Sequence, residues 1–140
     1  MRLPIQLSVV VKIVLAGIAL SLAGCAARHQ NETIAGVVVP IPAPMKKLPV
    51  SEDWVDLGLE QKGEQVSFRG GMSRSEIVQF YQDVLPAAGW QPNSVLGAEI
   101  GGYAFTRDNQ TIAIRVKEND SKTSTLTVLV KTGEFTPPRR

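Results

Sequence analysis

Cysteine and histidine are almost absent from this chain. Its 140 residues hold one of each, Cys25 and His29, and both lie near the N-terminus. The remainder therefore has no disulfide, no thiol nucleophile, no soft metal ligand and no imidazole base. A net basic charge is missing too once the first 24 residues are set aside. They carry Arg2 and Lys12 and no acid, and residues 25–140 hold 13 basic and 13 acidic side chains. Such a balance argues against nucleic acid as a partner, because neutralising phosphates takes a basic surface. Acidic residues 53, 56, 60 and 64 lack the spacing of a calcium loop. The doublets Gly70-Gly71 and Gly101-Gly102 form no phosphate-binding motif. No cofactor, metal site or catalytic group is expected.

What is present begins with a targeting segment. Arg2 and Lys12 precede an uncharged run, Ile13 to Ala23. That run is shorter than the ~20 apolar residues a bilayer span needs and fits the core of a signal peptide. A single span from Leu3 to Ala23 would place Lys12 in the membrane, at about 2.5–3.5 kcal/mol on insertion scales. The run ends in Leu22-Ala23-Gly24-Cys25. This resembles the lipobox of bacterial lipoproteins. The resemblance implies cleavage before Cys25, diacylglycerol on its thiol, and three acyl chains at the mature N-terminus. Several chains anchor stably where one does not. In such lipoproteins an Asp after the cysteine retains the protein in the inner membrane; here Ala26 follows, which implies the outer membrane, facing the periplasm.

Residues 25–49 contain Pro40, Pro42, Pro44 and Pro49 and no helical period. They are expected to form a lipidated, semi-rigid tether reaching on the order of 80 Å when extended, at ~3.3 Å per residue. Residues 50–135 are expected to be one small α+β domain and residues 136–140 a frayed tail. Trp54–Leu59 and Gln65–Arg69 read as strands. Ser73 and Glu76 are spaced as a capping box, with Met72 and Ile77 at the staple positions. Ile77, Phe80, Tyr81, Val84 and Leu85 then make one helical face, and Pro86 should kink or end it near Leu85. Beyond Trp90, apolar residues alternate over 103–107, 111–117 and 125–131, as in consecutive antiparallel hairpins. The expected fold is one helix packed on a curved antiparallel sheet of about five to six strands.

The stretches FYQDVLPAAGW, YAFTRDNQTIAIRV and TLTVLV are similar to a domain of small Gram-negative lipoproteins without an assigned activity. That resemblance implies a fold and makes Phe80, Tyr81 and Trp90 core anchors. The one surface with a functional reading is the sheet face opposite the helix. Arg107, Arg115, Lys117 and Lys131 are expected there as a basic patch for an anionic envelope partner, with a solvated sheet face as the plainer alternative. The expected function is a non-enzymatic, membrane-anchored periplasmic binding or accessory module. The alternative is a carrier for a small ligand or lipid, with a cavity under Ile77, Phe80 and Val84.

Overall fold

The computed structural model describes residues 28–49 and 63–133. The signal segment, Cys25, the strand expected at Trp54–Leu59 and the tail from Thr136 lie outside them. The α+β fold expected from sequence is present. Six antiparallel strands form one sheet in the order β3-β4-β8-β7-β6-β5. They are β3 Lys46–Lys47, β4 Glu64–Gly70, β5 Gln91–Pro92, β6 Tyr103–Arg107, β7 Gln110–Glu118 and β8 Ser124–Thr132. Both edge strands are two residues long and carry lysine or proline, which discourages pairing with another chain.

The helix α1, Arg74–Ala87, covers one face. Its start follows the expected chemistry. The Ser73 hydroxyl accepts from the Glu76 amide, and the Glu76 carboxylate accepts from the Ser73 amide at 2.8 Å. Pro86 does not stop it at Leu85; the helix runs two residues further, to Ala87. Gly89, at φ +86°, turns the chain so that its amide donates to the Pro86 carbonyl and the Trp90 amide to the Leu85 carbonyl. This closure satisfies two of the carbonyls that the end of the helix leaves without intrahelical donors.

The tether assignment for residues 25–49 is corrected over most of its length. His29–Ile34 and Val37–Pro42 form strands β1 and β2, paired antiparallel through Ala35-Gly36. Both turn residues have positive φ, as a tight two-residue hairpin requires. Ile34, Val37, Val39, Ile41 and Met45 are buried, whereas Val38 is 58% exposed. Proline masks this alternation in the sequence. Pro40 and Pro42 are two apart, so both missing donors fall on the same side of β2, away from β1, where a sheet edge tolerates them. The hairpin lies with α1 on the same sheet face and completes the core there, with Phe68, Phe105, Ile112, Ile114, Leu126, Val128 and Val130 below. The Ala35 amide donates to Glu64 at one end, and Lys47 pairs with Glu32.

A second helix, α2 (Ser94–Ile100), is absent from the sequence expectation and covers the opposite face. None of the helices among the described residues is long and apolar enough to cross a membrane.

Candidate ligand cleft

The site grows from α2. The Asn93 side chain caps it by accepting from the Leu96 amide at 3.0 Å, and Gly101, at φ +65°, closes it. Leu96 and Ile100 pack on Ala104, Ala113 and Leu129, whose side chains point away from α1. Small residues let the helix lie close. A Cβ on Gly97 would come within 3.0 Å of the Gly102 carbonyl oxygen and 3.4 Å of the Ala104 amide, and one on Gly102 would collide with the Ile114 carbonyl oxygen of β7. Because α1 and α2 sit on opposite faces, they leave a gap around the short-stranded edge of the sheet at β6.

That gap is a cleft of about 580 Å³. Its walls are Pro92, Gly97, Ala98 and Phe105, with Tyr103 and Gln82 toward α1 and Asn93 and Ser94 at the start of α2. The walls are mainly apolar, and no charged side chain lines it. The size falls within the ~300–1,000 Å³ of small-molecule sites. The amide of Gln82 and the hydroxyls of Ser94 and Tyr103 supply neutral hydrogen-bonding groups. Tyr103 and Gln82 also border a second cleft of about 450 Å³ under the outer side of α1, which includes Arg74 and Glu118. The surface thus passes from an apolar pocket to a charged rim within one continuous set of neighbours.

The other residues singled out from sequence fall in different places. Arg107 stands on the α1 side of the sheet, not the opposite one. Its guanidinium donates to the Ala88 carbonyl at 3.0 Å and stacks 4.3 Å from the centre of the Trp90 ring. The reason is register: Arg107 continues the row of Tyr103 and Phe105, which faces the main core. Arg115 and Lys117 do lie on the α2 side. Arg115 donates to the Ile100 carbonyl at 2.7 Å and so holds the end of α2. Lys131 shares that side but stands opposite Thr111, four positions along β7 from Arg115. Four strand positions separate them by roughly 13 Å. The four cations therefore do not form one patch, although Arg115 and Lys117 line one recess of about 480 Å³ with Arg74, Glu118, Thr125 and Thr127. Phe80, Tyr81 and Trp90 are buried, and Phe80 and Tyr81 meet edge to face at 5.1 Å. The space under Ile77 and Phe80 is filled by the core rather than hollow.

Among the described residues, three titrating groups carry shifts. Hydrogen bonds from the Ser73 amide and hydroxyl hold Glu76 below the usual carboxylate range. The Thr123 hydroxyl, then the Lys122 amide, do the same for Asp120, with a smaller contribution from Arg69. Burial pushes the Tyr81 phenol upward. None of these groups lines the cleft. Among the described residues, no cluster of His, Cys, Asp and Glu is placed to hold a metal.

A sheet carrying one helix on each face, with an apolar cleft where the helices part, defines a small α+β module with room for a ligand. Residues 55–128 match the model of a family described as START domain-like, and the chain belongs to that family. Domains of this kind are generally ligand-binding rather than catalytic. The β1–β2 hairpin and β3 lie ahead of the matched segment, which ends within β8. No curated protein and no solved structure matches the chain.

Proposed function

We propose that this chain is a non-catalytic binding module of the bacterial envelope, held by lipid on Cys25, and that its cleft takes a small, largely uncharged apolar ligand. The cleft carries the reading: an apolar recess of about 580 Å³ with neutral polar groups at its margin. Such a lining favours transfer of apolar surface out of water and penalises a charged ligand. Family membership supports a binding role. Of the basic patch expected from sequence, Arg107 lies on the other sheet face and Lys131 apart from Arg115, while Arg115 and Lys117 line one recess with Thr125 and Thr127. Leu22-Ala23-Gly24-Cys25 supports the anchor, and Ala26 supports the outer membrane, facing the periplasm.

The test fills the cleft. Ala98 is an exposed α2 residue on its wall, so Ala98→Trp should occupy the recess without disturbing the core. An apolar dye that brightens on leaving water should bind the parent protein saturably. The variant should bind it at least about tenfold more weakly, equivalent to ~1.4 kcal/mol, with an unchanged melting temperature. Equal binding by both proteins, or no saturable binding by the parent, rejects the cleft.

A further inference from the structure

We infer that the end of the molecule bearing the anchor docks directly against an anionic membrane surface. The inference rests on lipidation of Cys25. It starts from the corrected tether. With β1 beginning at His29, only residues 26–28 stand between the lipidated cysteine and the folded hairpin. Four Cα–Cα steps span at most about 14 Å. The domain is thus held within a short reach of the headgroups instead of at the far end of a stalk.

The hydrogen-bond pattern shows which end this is. The Arg28 carbonyl accepts from the Ala43 amide at 3.1 Å. Pro44 abuts Gly70 so closely that a Cβ there would strike its carbonyl. Gly71 in turn lies against the 119–123 turn near Lys122. The start of β1, the 43–45 turn, the start of α1 and the β7–β8 turn therefore share one end of the fold.

Exposed cations gather at that end: Arg28, Lys46, Arg69, Arg74, Lys117 and Lys122. Three of them follow from strand register, since Lys46 faces Arg69, Arg69 faces Thr125 and Thr125 faces Lys117 in one line across the sheet. The acids there, among the described residues, are Glu76, Glu118 and Asp120, with Glu32 paired to Lys47. Glu76 is engaged in the helix cap and Asp120 in its own turn, beside Arg69. At the opposite end Glu64, Asp83 and Asp108 stand with Arg107 and Lys131. Among the described residues the charge is polarised along the fold, and its positive pole coincides with the end where the anchor joins. A cation near an anionic bilayer improves partitioning about fivefold, over a range set by a Debye length of ~8 Å. A tether of at most about 14 Å keeps the positive pole within about two Debye lengths of the surface.

The test uses the mature protein purified from membranes and reconstituted in phosphatidylcholine vesicles with or without phosphatidylglycerol. Palmitate labelling, abolished by Cys25→Ser, reads the anchor alone. Amide hydrogen exchange reads the docking. With phosphatidylglycerol, residues 43–45, 71–74 and 119–123 should exchange several-fold more slowly, while the turn at Asp108-Asn109 should be unchanged. The combined variant Lys46→Glu, Arg69→Glu, Lys122→Glu should lose that protection and keep its label. A labelled protein with equal exchange in both vesicles overturns the docking and leaves the anchor standing. An unlabelled parent protein overturns the anchor and the docking together.

Discussion

The two faces of the sheet come from the same strands and the same alternation, yet they enclose different interiors. Beneath α1 and the hairpin lies a continuous core of large side chains: Phe68, Tyr81, Trp90, Phe105 and the aliphatic rows of β7 and β8. On the α2 face the cluster among the described residues is small: Leu96 and Ile100 of α2 on Ala104, Ala113 and Leu129. The rest of that face is polar even where it is closed off. Thr111 and Thr127 are buried, and the Ser67 and Thr127 hydroxyls meet at 3.2 Å. Fully burying a large aliphatic side chain contributes about 1.5–3 kcal/mol. The α1 face therefore supplies most of the stability, whereas the α2 face is thin, with small residues that admit a close helix and leave a cleft beside it. Division of this kind is what a binding module needs, because a recess can stay open only where it does not hold the fold together.

Ile41→Ala carries the largest expected effect. Ile41 is fully buried, and it comes from a segment whose prolines suggest a stalk. If the hairpin belongs to the α1-side core, the substitution should cost about 2–5 kcal/mol in a denaturant titration. A loss under ~1 kcal/mol would put the hairpin outside the cooperative unit and leave the two faces about equal in weight.

Leu96→Ala makes the matching cut on the other face. Leu96 is nearly as buried, but its cluster is small and rests on alanines. The expected cost is about 2 kcal/mol, the low end for such a truncation, because α2 can settle into the space. Amides of α2 should exchange faster, those of α1 should not, and dye binding in the cleft should weaken. A cost matching that of Ile41→Ala, or exchange rising equally in both helices, would break the comparison.

How far the sequence reveals these faces depends on how local each signal is. The α1 side is legible where local chemistry and periodicity agree: the Ser73–Glu76 cap, the face of Ile77, Phe80, Tyr81 and Leu85, and the alternation of β6 to β8. Its hairpin is not, because proline, a marker of extended tether, sits on the one edge of β2 that tolerates it. The helix α2 escapes notice although its signals are local. Asn93 and Gly101 flank it as caps, but at seven residues it shows too little of a period to stand out. The cleft goes with it, since half of its lining is glycine, alanine and proline, residues whose importance lies in what they leave empty. Arg107 is misplaced for a related reason. Alternation assigns a side chain to a face, but the face seen by a strand-end cation depends on which apolar row it continues.

The smallest expected effect separates a filled core from a satisfied one. Tyr81 is buried in the α1-side core, and its hydroxyl has no hydrogen-bond partner among the described residues. Leaving such a group unpaired costs about 1–3 kcal/mol, while the ring contributes its full burial. Tyr81→Phe keeps the ring and removes the hydroxyl, so stability at neutral pH should be unchanged or rise by up to ~1 kcal/mol. The pH dependence gives a second reading with a definite sign. Burial raises the phenol's pKa in the fold, so above about pH 10 the unfolded chain releases a proton that the folded one retains. Stability should hold below that pH and fall as it is exceeded, and the phenylalanine variant should lack Tyr81's share of the alkaline loss. A clear destabilisation of Tyr81→Phe at neutral pH would mean that the hydroxyl is held by a bond from residues outside those described, and the α1-side core would then share the polar character that distinguishes the α2 face.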